Sequence, residues 1–328
     1  PEGREIALEL LDQADVFVTN VRVDALKRAG LDYDTVSARN PRLVYGQITG
    51  YGLEGPDANR PGYDIAAFWA RSGIAHMLTP EGGALPFQRG GMGDHTTGVT
   101  FAGAISAALY QRERSGLGQM VSSSLLRQGV YTIGFDLNMM LGWGQHPMIG
   151  QRTQMMNPSV NNYQAGDGKW FWVVGLEGER HWPPLARVAG HPEWITDERF
   201  VTPLQRAINH KELIALLDEA FSGKSLDEWA DIFATEPDMF WSPVNSAEEV
   251  LADPQLQHAG GLIEVPDEYG TTTMIASPAD FHGTPGEPRW IAPKLGEHTA
   301  EVLRELGRSD AVIEELFARQ IAAKFVEE

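Results

Sequence analysis

The 328-residue chain contains no cysteine. Disulfides, thiolate zinc sites and a cysteine nucleophile are excluded together, and a chain of this length without disulfides is expected to be cytoplasmic. Basic side chains are few: 26 lysines and arginines stand against 45 aspartates and glutamates, a formal charge of −19. Sequence-independent nucleic-acid binding and attachment to an anionic membrane both need a positive face, so neither partner is expected. Any anionic ligand must be held by local basic residues. No apolar run approaches the roughly 20 residues needed to span a bilayer, and no signal peptide opens the chain. Missing too are a Gly-x-Ser-x-Gly elbow, a His-Glu-x-x-His helix and a Gly-x-Gly-x-x-Gly fingerprint. The nine histidines share no helical face, so no metal site is expected.

What is present alternates between helix and strand. Residues 1–13 read as an amphipathic helix carrying Ile6, Leu8, Leu10 and Leu11, and Val16-Phe17-Val18 as a buried strand. A helix over Val23–Arg28 closed by Gly30, a short helix to Asn40 and a strand at Leu43–Thr49 continue a parallel α/β layer. The chain opens without Met and with that layer half built, so part of the domain is expected to precede residue 1. A glycine- and proline-rich loop over 50–62 leads to helical patterning at Tyr63–Ser72. After a second glycine-rich stretch comes the longest helical signal, Asp94–Arg114, whose many glycines and alanines suit a buried helix packed closely on its neighbours. A strand near Met120 and an apolar helix over Leu125–Trp143 follow.

Beyond a break at Gly144–Pro158 the texture changes. Lys169–Val174 reads as a strand, and helices at Arg180–Ala189, Gln205–Phe221 and Leu226–Ala234 mark an α+β domain. Val244–Thr273 reads as a helix, a turn and a hairpin, and two amphipathic helices, Thr299–Leu306 and Ala311–Ala322, close the chain. The expected division is a large domain over 1–143, a linker and site loop over 144–163, a small α+β domain over 164–277, a linker over 278–293, and C-terminal helices over 294–328.

Three constellations carry candidate chemistry. In Gly90-Gly91-Met92-Gly93-Asp94-His95 an aspartate stands at the mouth of the long helix behind glycines. Capping alone accounts for it, because Asp is a preferred N-cap whose carboxylate accepts backbone N–H donors. The same geometry also serves catalysis. Glycines admit a ligand closely, the helix N-terminus stabilises developing negative charge, and the carboxylate can be the nucleophile. Arg60-Pro61-Gly62-Tyr63-Asp64 stands at another helix start, where, taken alone, Tyr63 reads as a packing aromatic and Asp64 as a cap. Thr19-Asn20-Val21-Arg22, with Lys27-Arg28 a turn and a half later, leaves a strand of the parallel layer. Basic residues there suit an anionic ligand at the carboxyl end of the strand, or form a solvated helix face.

Seven stretches decide between these readings. They are Ala14-Asp15-Val16-Phe17-Val18-Thr19-Asn20, Asn40-Pro41-Arg42-Leu43-Val44-Tyr45, Gly50-Tyr51-Gly52 with Gly55-Pro56, Gly62-Tyr63-Asp64, Gly93-Asp94, Arg112-Glu113-Arg114-Ser115-Gly116-Leu117-Gly118-Gln119, and Leu295-Gly296-Glu297-His298-Thr299 with Val302-Leu303. In that order they resemble the class III coenzyme A transferases, which include formyl-CoA and carnitine-CoA transferases and the related α-methylacyl-CoA racemases. The resemblance implies an α/β fold with a Rossmann-like large domain, a smaller α+β domain and an interlocked-ring homodimer. It also implies that Asp94 attacks a donor acyl-CoA to give an aspartyl anhydride, then an aspartyl-CoA thioester, before an acceptor carboxylic acid takes the CoA. Asn20, Val21, Arg22 and Arg28 match positions that hold the nucleotide end of CoA. Gly62, Tyr63 and Asp64 match those near its pantetheine arm and the reacting acyl group. CoA enters as a co-substrate, and no other cofactor is implied.

This chain departs from the family in three places. Arg60 stands one place before the usual basic residue, which here is Pro61. The racemase branch has a histidine before the aspartate where this chain has Tyr63, which lacks a near-neutral pKa, and that favours transfer over racemisation. Where the formyl-CoA branch has a run of glycines, this chain has Gly150–Tyr163 with Met155-Met156, suited to a larger or more apolar acyl group. An acyl-CoA racemase or epimerase, with His95 expected to point away from the site, and a non-catalytic acyl-CoA-binding paralogue are the alternatives. A proline-rich connector and final helices that must bury Leu303, Leu306, Ile313 and Leu316 somewhere support the dimer.

Overall fold

The computed structural model describes residues 2–146 and 151–325. The chain divides into two compact units, residues 1–149 with 293–328, and residues 150–292. In the first, α1 (Glu2–Gln13), β1 (Val16–Thr19), α2 (Val23–Ala29), α3 (Tyr33–Arg39) and β2 (Val44–Thr49) follow one another as the patterning predicts. Each end has a local cause. Gly30 closes α2 in the left-handed conformation at φ +66°, and the Asp32 carboxylate caps α3 by accepting the Thr35 N–H at 3.2 Å. β2 is the middle strand of a parallel sheet ordered β1-β2-β3, with Val44 opposite Val16 and Tyr45 opposite Met120. β1 is an edge strand in that sheet, so Val18 is 57% exposed rather than buried as expected.

After the loop over 50–62, Ile65–Ala70 winds as a π-helical turn rather than an α-helix, the Arg71 N–H reaching back to the Ala66 carbonyl. A short α4 (Ile74–Met77) and the long α5 (Met92–Ser115) follow. α5 sets Phe101 and Ile105 against β2 at Gly46, where a Cβ would come within 2.8 Å of the Phe101 ring. Its small residues Ala102, Gly103, Ala104 and Ala107 are exposed, not buried as expected, because they lie on the side turned from the sheet. β3 (Met120–Ser124) leads to α6 (Leu125–Thr132) and α7 (Gly134–Trp143). One helix was expected there; the break falls at Ile133-Gly134, where a β-branched residue meets a glycine, both weak helix formers.

In the second unit β4 (Val160–Gln164), β5 (Trp170–Val174), α8 (Gly178–Val188), α9 (Pro203–Ile208), α10 (His210–Phe221), α11 (Leu226–Phe233) and β6 (Trp241–Pro243) surround one aromatic core. The sheet is antiparallel, β4-β5-β6. Residues 160–163, expected as loop, are strand because Tyr163 pairs with Phe171. Residues 147–150, within the expected 144–163 linker, lie outside the described residues. The single helix expected over Gln205–Phe221 is broken at Asn209, whose Nδ2 donates to the Arg199 and Gln205 carbonyls at 2.9 and 3.1 Å. α12 (Ala247–Ala252), α13 (Pro254–His258) and a hairpin of β7 (Leu262–Asp267) and β8 (Gly270–Ile275) complete this unit.

α14 (Thr299–Glu305) and α15 (Asp310–Ala318) belong to the first unit, where Leu303, Ile313 and Leu316 are buried together with Ile6 of α1 packed on them. The apolar faces of the last helices are therefore covered within one chain, and their amphipathicity alone does not call for a partner.

Candidate active site

The site is built where three segments meet at the mouth of α5. Gly91 is the N-cap, in the left-handed conformation at φ +78°. Asp94 is thus the third residue of the helix and not its cap. Its exposed carboxylate makes no hydrogen bond or ion pair with another described residue. The cap comes from elsewhere: Asp64, 8% exposed, accepts the Gly93 N–H at 3.0 Å on Oδ2 and 3.1 Å on Oδ1. Gln88 Nε2 donates to the same Oδ1 at 2.8 Å. The approach is close enough to require glycine at 93, since a Cβ there would lie 2.2 Å from Asp64 Oδ1 and 2.3 Å from Phe68 Cγ. Asp64, readable as a cap of its own helix, makes no capping bond to the turn that follows it.

Desolvation raises the pKa of Asp94 above the usual carboxylate value, the negative Asp64 beside it raises it further, and His95 opposes both. The His95 ring folds over Gly91, its Nε2 3.1 Å from where a Cβ would stand. His95 therefore stays at the helix mouth and does not turn away from it.

Loop 50–62 joins this mouth to the end of β1. A Cβ on Gly50 would lie 3.1 Å from the Cα of Gly62, and one on Gly62 would lie 2.9 Å from the Tyr51 ring. The guanidinium groups of Arg60 and Arg71 sit 5.5 and 4.9 Å from the Tyr51 ring centroid, and Asp57 pairs with both. Next to buried Asp64, Tyr63 is 83% exposed. Asn59 makes the connection: its Oδ1 accepts the Asp24 N–H at 3.0 Å, and its carbonyl accepts from Arg22 at 3.4 Å. Val21 is held by its N–H to Thr19 Oγ1 and by Gln47 Nε2 donating to its carbonyl at 3.0 Å. Arg22 is thereby tied to the segment that carries Gly62, Tyr63 and Asp64, while Val21 is anchored to β1 and β2 instead. Arg28 is not part of that tie; it stands exposed in the last turn of α2 without a hydrogen bond or ion pair to a described residue. A cavity of about 300 Å³ is lined by the preceding Lys27 with Val23, Asp32, Tyr45, Gln47 and Glu54, and Arg28 is not part of its lining.

Gln88 and Asn59 escaped the sequence reading because neither belongs to a periodic pattern or a motif, and Phe68 was read only as part of a helical pattern. Arg112, quoted above only as part of a motif, ties the far end of α5 to the strands. It pairs with Asp15 at 2.8 Å and donates to the Asp15 and Arg42 carbonyls. Among the described residues no three His, Asp or Glu side chains gather as metal ligands would, and no helix is long and apolar enough to cross a membrane.

Similarity to known proteins identifies the family. The description "CoA-transferase family III" matches residues 1–299, and the chain belongs to that family as a class III CoA-transferase. It is 31% identical over 314 residues to (R)-2-hydroxy-4-methylpentanoate CoA-transferase of Clostridioides difficile, covering 95% of this chain and 78% of that protein. It is 30% identical to cinnamoyl-CoA:phenyllactate CoA-transferase of Clostridium sporogenes, covering 96% and 77%, and 32% identical to human succinyl-CoA:glutarate CoA-transferase, covering 94% and 70%. Among solved structures, a CAIB/BAIF family protein from Brucella suis superposes with a TM-score of 0.74 at 30% identity, covering 93% of this chain and 79% of that one.

Proposed function

We propose that this protein moves CoA from an acyl-CoA donor to a carboxylic acid through covalent intermediates on Asp94. The Asp94 carboxylate attacks the donor thioester carbonyl, the C–S bond breaks, and CoA leaves as a thiolate, leaving an aspartyl anhydride. The thiolate re-attacks at the aspartyl carbonyl, expelling the donor acid as a carboxylate and leaving an aspartyl-CoA thioester. An acceptor carboxylate then repeats the two steps in reverse and restores Asp94. Carrying the reading is one observation: Asp64 supplies the cap of α5, so the Asp94 carboxylate is left unengaged at the positive end of a 24-residue helix. Asn20, Val21, Arg22 and Arg28 hold the nucleotide end of CoA, while Gly62, Tyr63 and Asp64 face its reacting end. The acids in the relatives' names support an acyl group larger than formyl.

The same reading makes the first unit a Rossmann-like large domain and the working form an interlocked homodimer. Supporting it are the exposed small residues of α5 and the exposed Val130, Tyr131, Phe135, Leu141 and Trp143 of α6 and α7. Sedimentation at falling concentration tests it, and a monomer active at nanomolar protein would defeat it.

For the chemistry, hydroxylamine added during turnover should yield a hydroxamate at Asp94, and Asp94→Ala should abolish transfer in a folded protein. If Asp94 served only to place a charge in the first helix turn, its loss would cost about 0.3–1 kcal/mol of stability and leave turnover nearly unchanged. Deuterium incorporation at the α-carbon of the acyl-CoA without transfer would instead favour racemisation.

A further inference from the structure

Between His76 and Met92 the chain buries a single residue, Gln88, at 5% exposure. Its amide reaches Asp64 Oδ1 at 2.8 Å. Two residues earlier the Pro86 carbonyl accepts from Trp69 Nε1 at 3.2 Å, so both anchors of the loop fall on the segment that begins at Asp64. The Gly93 N–H lands on the same carboxylate. One buried group therefore holds the end of the loop and the first turn of α5 together, and no cation pairs with it among the described residues.

We propose that Gln88 is a positioning residue for Asp94: by donating to Asp64 it keeps that carboxylate turned onto the Gly93 N–H, and so fixes the helix turn from which Asp94 meets the thioester. The proposal rests on Asp94 being the nucleophile. Without the amide, the Asp64 carboxylate is free to swing about its last torsion, which is broad for an sp³–sp² bond. It would also lose a buried hydrogen-bond partner, which is costly for a charged acceptor. An amide suits the position because it orients the carboxylate while leaving its charge in place. A lysine or arginine would cancel the negative charge that stands beside Asp94.

Gln88→Met tests this, because methionine keeps the length and volume of glutamine and removes the donor. The expected result is a kcat lower by about 10- to 100-fold, the scale of a misplaced reacting group. KM for acyl-CoA and the Kd of free CoA by calorimetry should stay within about twofold. Hydrogen exchange of the peptide spanning residues 89–97 should accelerate. A residue that only fills space would leave all of these unchanged, and an unchanged kcat overturns the proposal even where exchange accelerates. If Gln88→Met fails to fold, Gln88→Glu, which keeps the size and sets a like charge against Asp64, should show the same fall in kcat. Failure of the parent reading looks different: wild-type protein would form no hydroxamate at Asp94, while exchange at Gly93 would still respond to Gln88→Met.

Discussion

The two units bury themselves by opposite means. In residues 150–292 the core is one aromatic cluster, in which Phe171 meets Phe221 at 5.0 Å and Phe233 at 5.8 Å between ring centroids, and Phe221 meets Trp229 at 5.1 Å. In the unit that carries Asp94, the decisive contacts are of backbone on backbone or backbone on carboxylate: Gly50 on Gly62, Gly93 on Asp64, and Gly118 beside the Leu43 carbonyl, 2.1 Å from where a Cβ would stand. Rings interdigitating in bulk tolerate small adjustments and draw their strength from buried area. Glycine contacts bring in little area but set positions tightly. The candidate site lies in the unit with the smaller apolar clusters.

The contrast can be broken from either side. Phe221→Ala should produce the largest loss of stability, about 3–5 kcal/mol, read as an earlier urea transition; a loss below about 1 kcal/mol would show that the aromatic cluster is not what holds its unit together. Arg28→Ala should leave stability alone and raise KM for every acyl-CoA by the same factor, since a charge-assisted phosphate contact contributes roughly 1.5–3 kcal/mol. An effect confined to one acyl chain would move Arg28 to the acyl pocket. Gly93→Ala should cost about 1–3 kcal/mol through overpacking against Asp64 and Phe68 and should slow turnover as well. Full stability with full activity would mean that this contact yields as easily as a ring.

The smallest effect is on pH. In the proposed reaction Asp94 attacks as the carboxylate, and its pKa is held up by desolvation and then by Asp64. Asp64→Asn removes the second cause, so the Asp94 pKa falls and kcat/KM should persist to lower pH than in the wild type. An acid limb that stays in place would remove Asp64 from the electrostatics of the site.

Much of this was legible in advance. The alternation of α1, β1, α2, α3 and β2 follows from periodicity and end signals such as Gly30, because those signals act within a few residues. Two of the misreadings share a cause. The strand at Val160–Gln164 exists because β5 lies beside it, and the break at Asn209 exists because its side chain finds the Arg199 carbonyl ten residues back. Pairing and side-chain bonding of that kind leave no mark in local spacing.

The aspartates divide along the same line. Sequence by itself determined that Asp94 stands at the start of a long helix behind glycines, since helix periodicity and the freedom of glycine are local properties. Spacing at that residue favoured a cap, and the resemblance to class III CoA-transferases implied a nucleophile. Only the tertiary structure showed that the cap comes from elsewhere, by bringing Asp64 from the loop after β2 onto the Gly93 N–H with Gln88 behind it, which leaves the Asp94 carboxylate unengaged. A helix end has a few orphan N–H groups, and whichever carboxylate reaches them first in space, not in sequence, leaves the other free.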